Sequence, residues 1–128
     1  MSRPRDLIVT ALAPLEDLDP TVRVIPYART IDPPAVPTVM VRVDRVEPAA
    51  ARAGARRVRS YTFAVIVVPA KSTGDAADAE IDALLEDVLA VLDDAPDLTW
   101  TAAERGTYQD TAFPAYEVTV TQPLKIGA

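Results

Sequence analysis

The stretch RVRSYTFAVIVV, residues 57–68, is the longest strand candidate in the chain. Its first half alternates, so that Tyr61 and Phe63 share one face while polar side chains occupy the other. Its second half, Ala64 to Val68, is apolar at every position. Strands of that kind are typically covered on both faces. The stretch therefore predicts the central strand of a sheet.

A second strand candidate precedes it and extends from Thr38 to Val46. Its side chains alternate between two faces, with Val39, Val41 and Val43 on one and Met40, Arg42 and Asp44 on the other. The connection, Glu47 to Arg56, is rich in alanine and arginine and contains Pro48 and Gly54. The two strands predict a long β-hairpin with an extended loop at its tip.

The chain opens with a predicted helix of about three turns, which Pro14 limits. Its apolar side chains recur at helical spacing and are Leu7, Ile8, Ala11, Leu12 and Leu15. Asp17 to Pro20 is expected to form a loop. A short strand follows, Thr21 to Tyr27, and Pro26 within it indicates a sheet edge or a strand end.

The best-defined element is a helix of about 18 residues that starts near Asp75. Its apolar stripe has i, i+3, i+4, i+7 spacing and consists of Ile81, Leu84, Leu85, Val88 and Leu92. A fourth strand with alternating Leu98, Trp100 and Ala102 is expected to end in a turn near Arg105-Gly106. A fifth, around Val118, is expected to end at Pro123.

The order of these elements, α-β-β-β-α-β-β, predicts one α+β domain that covers residues 1–128. A chain of this length is typical of a single domain. We expect a mixed or antiparallel sheet packed by two helices, with the long hairpin projecting from it.

Residue types restrict the possible chemistry. The chain contains no histidine and no cysteine, which excludes a Ser–His nucleophile pair, disulfides and thiolate–metal sites. Acidic pairs such as Glu86-Asp87 are adjacent on a helix, and such neighbours do not converge on a substrate. Asp93, Asp94 and Asp97 would provide oxygen ligands for a weak calcium site, but their spacing matches no EF-hand loop. We therefore expect no enzymatic activity, no cofactor and no required metal.

Charge is segregated along the chain, whose formal net charge is −6. Residues 72–104 contain ten acidic residues and no lysine or arginine, whereas residues 42–59 contain six arginines and two acidic residues. This pattern is compatible with solubility alone, and it also favours a head-to-tail contact between a basic hairpin tip and a neighbour's acidic helix. The residues assigned to that interface are Arg45, Arg52, Arg56, Arg57, Arg59, Glu80, Asp82, Glu86 and Asp87.

Several segments, taken in order, resemble a known family. They are Pro4 to Val9, Ala11 to Leu15, Val24 to Tyr27, Pro37 to Val41, Phe63 to Pro69, the helix that reaches Asp93, Leu98 to Trp100, and Ala115 to Val120. Their order, spacing and total length resemble the tail-terminator proteins of long-tailed bacteriophages, particularly those of actinobacterial phages. The resemblance covers nearly the whole chain, contains no sharp motif, and is loosest over Glu47 to Arg56.

The resemblance implies a structural protein of the virion and no chemistry. Such a protein forms a ring, expected to be a hexamer, that caps the tail tube, ends its polymerisation and provides the surface that joins the head. Its partners would be other copies of itself, the major tail tube protein and the head–tail connector proteins. DNA would pass through the lumen without specific binding. The protein would be assembled in the host cytoplasm and would not engage a membrane.

Two other classes remain open from the sequence. One is a different component of the head–tail connector, such as a neck or tail-completion protein, which would bind the portal complex rather than tube ends. The other is a stand-alone α+β protein-binding domain, which would stay monomeric. Enzymatic activity is the least expected class.

Overall fold

The structure is a computed structural model that describes residues 4–18, 20–25, 36–48, 58–70, 75–95, 98–107 and 114–125. These residues form three helices and a mixed sheet of five strands, so the chain has the α+β fold expected from its sequence. The helices are α1 (Pro4–Leu12), α2 (Pro14–Leu18) and α3 (Asp75–Asp93). The strands are β1 (Arg23–Ile25), β2 (Thr38–Pro48), β3 (Val58–Val68), β4 (Thr99–Thr107) and β5 (Pro114–Lys125).

The strands lie in the order β1-β2-β3-β5-β4. β1 runs parallel to β2, and the other three pairings are antiparallel. β3 occupies the centre, which confirms the position expected from its apolar second half. β1 lies at an edge, as Pro26 indicated. β2 and β3 form the predicted hairpin, and the loop that joins them, residues 49–57, lies outside the described residues.

The main core lies between the helices and one face of the sheet. Each helix contributes buried side chains to it, among them Ile8, Leu15 and Ile81. Alternate residues of β2, β3 and β5 supply the sheet side and include Val39, Val41, Phe63, Val65, Val67, Val118 and Val120. The alternation found in the sequence therefore identified the inward face of these strands correctly.

The opposite face of the sheet is divided. At one end, Met40, Val68, Ile25 and Ala115 form a second, smaller buried cluster. The rest of this face presents charged and polar side chains to solvent, beginning with Arg42. β3 is thus apolar on both sides because its second half passes between two separate clusters.

The segment after α1 differs from the expectation. Pro14 ends the first helix, as predicted, but it also begins α2, so Asp17 belongs to a helix rather than to a loop. Proline suits the first position of a helix because its fixed φ is already helical and its missing N–H has no partner there. Leu15, which is 1% exposed, anchors this short helix to the core.

Two strand ends were also predicted too early. Arg105 and Gly106 lie within β4, where they pair with Tyr116 and Ala115. Pro123 lies within β5, which continues to Lys125. β4 pairs with β5 only as far as Thr121. Beyond that residue β5 pairs with β3 alone among the described strands, so Pro123 lies where one side of β5 is an edge, and proline is tolerated there.

Register shifts interrupt the alternation at two places. One lies between Val43 and Arg45 in β2, the other between Trp100 and Ala102 in β4. An extra residue in one strand reverses the faces of the residues beyond it. In β4 the shift places Ala103 against the main core, and not Ala102 as the alternation with Trp100 had predicted.

Candidate interaction surfaces

Some acidic residues of α3 attach the helix to the sheet. Near the start of the helix, Asp78 forms an ion pair with Arg105 of β4. At its end, Asp93 accepts a hydrogen bond of 2.8 Å from Nε1 of Trp100. α3 is therefore held against β4 at both of its ends by polar contacts in addition to its buried apolar stripe.

A third acidic residue of α3 contacts β5 rather than β4. The hydroxyl of Tyr116 donates to Asp82 at 3.3 Å, and the guanidinium of Arg105 lies 5.7 Å from the centre of the Tyr116 ring. The hydrogen bond with Asp78 raises the pKa of Arg105 above its ordinary value, and the contact with Tyr116 adds to the effect. Asp82, which the sequence assigned to an intermolecular contact, therefore already has a partner within the chain.

The other predicted acids of α3 differ in exposure. Glu80 is half-buried, and its Oε1 accepts a hydrogen bond from the backbone N–H of Ala70. Glu86 and Asp87 are exposed and form no hydrogen bond or ion pair with the described residues. Glu80 and Asp82 therefore have partners within the chain, whereas the charges of Glu86 and Asp87 are uncompensated among the described residues.

The arginines in the described part of the hairpin form three ion pairs. Arg42 Nε lies 2.6 Å from Asp44 Oδ1, and its terminal nitrogen lies 2.9 Å from Glu117 Oε1 on β5. Arg45 lies 3.8 Å from Glu47. These acids offset part of the positive charge that the sequence suggested for the hairpin.

The remaining arginines of the predicted interface belong to the hairpin tip and its base. Arg52, Arg56 and Arg57 lie outside the described residues, and Arg59 is described only by its backbone in β3. A basic hairpin tip therefore stays a prediction from sequence.

The two charged surfaces lie on opposite sides of the molecule. α3 packs on the helix face of the sheet, and Glu86 is exposed on its outer side. Arg42 and Arg45 project from the opposite, open face, because each pairs with a residue of β3 that points away from the main core. Charges on these surfaces are separated by the sheet within one chain, so the described residues of both surfaces can be in contact only between two chains.

The outer edge of β4 is poorly suited to pairing with another chain. The strand has nine residues and pairs only with β5 among the described strands. Its register shift near Trp100 distorts the edge, and Glu104 and Arg105 are exposed charged residues. Irregularities and charges of this kind discourage edge-to-edge pairing.

Metal-binding clusters are absent from the described part of the chain. No group of three or more acidic side chains able to hold a metal ion occurs among these residues. Of the three aspartates considered for calcium, Asp97 lies outside them. Within the described ranges, no helix has both the length and the apolar character needed to cross a membrane.

Sequence reasoning missed the contacts of Arg105, Trp100 and Tyr116 with α3. It treated the acids of the helix as one solvated surface. Asp78 and Asp82 are four residues apart, so they lie on the same side of the helix. That spacing indicates that both acids face the same neighbouring element, but nothing in the local sequence identifies which strand that is.

Comparison with known proteins adds no assignment. No family model matches the chain, and no curated protein sequence matches it significantly.

Proposed function

We propose that the chain is a structural subunit of a bacteriophage tail. It assembles as a ring, most simply a hexamer, at the head-proximal end of the tail tube, where it ends polymerisation and provides the surface that joins the head. Its partners are neighbouring copies, the major tail tube protein and the head–tail connector proteins. DNA passes through the ring without specific binding, and the subunit carries out no reaction.

The observation that carries the proposal is the placement of charge. Glu86 and Asp87 are uncompensated on the outer side of α3. On the opposite side of the sheet, Arg42 and Arg45 are paired with Asp44, Glu117 and Glu47, so a positive surface there depends on the predicted hairpin-tip arginines Arg52, Arg56 and Arg57. A basic hairpin tip opposite an acidic helix would favour a head-to-tail contact, and such contacts close into rings when the rotation between subunits allows it. The order of segments along the chain, which resembles the tail-terminator family, supports the same conclusion.

The first experiment measures assembly directly. The purified chain is examined by mass measurement alone and together with tubes polymerised from the tail tube protein of the same genome. We expect a closed ring, either in solution or on tube ends, and tubes that stop growing once it is bound. The contact is electrostatic, so ring formation should weaken as salt rises from about 50 to 500 mM, over which the screening length falls several-fold.

A matched pair of variants tests the acidic surface. Glu86→Gln/Asp87→Asn removes two exposed charges and should weaken ring formation without lowering the melting temperature. Asp78→Asn/Asp93→Asn removes the same number of acidic charges from the acids that attach α3 to β4. This control should instead lower the melting temperature, because partners on β4 lose charged acceptors.

The outcomes separate the alternatives. Normal assembly of Glu86→Gln/Asp87→Asn at every salt concentration would show that α3 is not the contact surface. A chain that stays monomeric even with tube ends would contradict the ring and favour a stand-alone binding domain. Binding to the portal complex without binding to tubes would favour a neck protein.

A further inference from the structure

An apolar strip lies between α3 and β4. Asp78 near the start of α3 meets Arg105 late in β4. Asp93 at the end of α3 meets Trp100 early in β4. The two elements therefore run antiparallel, and the flank of α3 between these contacts lies above β4. Four apolar side chains of this region pack against the main core yet are only half-buried, and we call them the α3–β4 strip: Leu85, Leu89, Trp100 and Ala103.

The outer side of the strip is open in the described part of the chain. β4 is the last strand of the sheet and pairs only with β5 among the described strands. Trp100 keeps part of its indole accessible at this border, although the ring also packs against the main core. Tryptophan, tyrosine and arginine are the residues most enriched among the strong contributors to protein–protein contacts, so a partly covered tryptophan favours a contact surface here.

The flank of α3 that borders the strip is acidic. Asp82, Glu86 and Asp93 recur at i, i+4 and i+11, so they lie on one side of the helix beside the two leucines of the strip. Asp82 accepts a hydrogen bond from the neutral hydroxyl of Tyr116. Asp93 accepts one from the neutral indole of Trp100. Glu86 is exposed and has no hydrogen-bond or ion-pair partner among the described residues. All three carboxylates therefore keep their negative charges next to an apolar and aromatic surface.

An arginine side chain complements this combination. Its guanidinium is planar and always charged, stacks on an indole ring, and donates two parallel hydrogen bonds to a carboxylate. The chain itself carries such groups in the segment that joins β2 and β3. Residues 49–57 contain no acidic residue and three arginines, which are Arg52, Arg56 and Arg57. Charge complementarity thus favours this segment of a second copy as the occupant of the strip.

We propose that the α3–β4 strip receives an arginine from residues 49–57 of a neighbouring copy. The guanidinium stacks on Trp100 and donates to the carboxylate of Asp93, which the indole N–H already holds in place. Glu86, two turns earlier on the same flank, provides a second carboxylate for the other arginines of the segment. The inference rests on the head-to-tail contact of the proposed function and names the residues that receive the hairpin tip.

Two variants of the full chain test the contact in one mixture. The acceptor, Arg52→Gln/Arg56→Gln/Arg57→Gln, keeps the strip but lacks the tip arginines. The donor, Trp100→Phe, keeps those arginines. Trp100 is the single tryptophan of the chain, so all tryptophan emission of the mixture comes from the acceptor. Adding the donor should shift this emission to shorter wavelength, because the stacked arginine displaces water from the indole. Mass measurement on the same samples reports whether the chains associate.

Further substitutions locate the contact. Glu86→Gln in the acceptor should weaken donor binding by up to about fivefold, since an exposed ion pair is lost. Asp87→Asn is the control, because it removes the same charge from the next residue, which the helix directs about 100° away, and should leave donor binding unchanged. A donor with Arg52→Lys/Arg56→Lys/Arg57→Lys keeps its charge but loses the planar stacking groups, and should lose most of the emission shift.

The outcomes separate this inference from the proposed ring. Association without an emission shift, or equal losses from Glu86→Gln and Asp87→Asn, would overturn the strip assignment and leave the ring intact. An equal shift with the lysine donor would overturn the stacked guanidinium. A chain that stays monomeric even with tube ends would overturn both proposals. If the dilute wild-type monomer already emits at shorter wavelength than the acceptor, the arginine lies in its own chain, and a contact between copies is excluded.

The test does not depend on the folding of Trp100→Phe. If that variant does not fold, the wild-type chain serves as the donor, and its own emission is subtracted from that of the mixture. The same shift of the acceptor emission is then expected, and its absence in associated chains overturns the proposal as before.

Discussion

Arg42 links β2 to β5 across the open face of the sheet. Its guanidinium pairs with Asp44 in its own strand and with Glu117 on β5, although β3 lies between these strands. Two strand spacings amount to roughly 10 Å, which a long arginine side chain can span. The residue of β3 paired with Arg42 is Ala64, whose small side chain leaves room above it and is itself 1% exposed.

We expect Arg42→Ala to lower the free energy of unfolding by about 0.5–1 kcal/mol, since two half-exposed ion pairs are lost. The hydrogen bond with Asp44 raises the pKa of Arg42 above its ordinary value, so its contribution is fully present at neutral pH and is lost only as pH rises through the raised pKa. Arg45→Ala is the control, because its pair with Glu47 is longer, at 3.8 Å. Denaturant unfolding at neutral pH measures both variants. Equal losses of unfolding free energy in the two variants would contradict a larger contribution from the ion pairs of Arg42.

At the scale of elements, α3 is held by two kinds of contact. Its apolar stripe is buried against the sheet and the first two helices, with Ile81 and Val88 fully buried. Its acids at both ends reach Arg105 and Trp100 on β4. Burial supplies most of the stabilisation, whereas the polar contacts fix the rotation of the helix above the sheet.

Ile81→Ala should lower the free energy of unfolding by about 2–5 kcal/mol, because it removes a fully buried side chain and leaves a cavity. Ala83→Gln, two residues later on the exposed side, should change it by no more than about 0.5 kcal/mol. Chemical denaturation of the two variants provides the comparison. A large decrease in the free energy of unfolding for Ala83→Gln would mean that the outer side of α3 is covered in the folded protein.

The whole molecule is expected to fold without a metal ion. The core between the helices and the sheet is continuous and apolar, and no set of three or more potential metal ligands occurs in the ranges that the structure describes. Melting curves recorded with and without EDTA should therefore coincide. A decrease of many degrees with EDTA would reveal an oxygen-ligand site, and the aspartates around Asp94 would be the first to test.

The sequence by itself determined most of the elements and the inward faces of β2, β3, β5 and α3, but it missed α2 and the inward face of β4 beyond its register shift. The apolar run of β3 placed it at the centre, Pro26 placed β1 at an edge, and helical spacing identified the buried stripe of α3. These features follow from the side-chain period of a strand or a helix, which can be recognised from the order of apolar and polar residues along the chain. The lack of histidine and cysteine likewise excludes several chemistries, because residue types alone decide which nucleophiles and metal ligands the chain can offer.

Only the tertiary structure decided which charges are available to other molecules. Asp82 and Glu86 are both acidic residues on the polar side of α3, and the sequence gives no reason to treat them differently. In the structure, Asp82 accepts a hydrogen bond from the Tyr116 hydroxyl, whereas Glu86 faces solvent. It also decided that Gln122, a polar residue of β5, would be buried, with only 2% of its surface exposed. The physical reason is that periodicity fixes the direction of a side chain relative to its own element, whereas its partner depends on which distant element packs there.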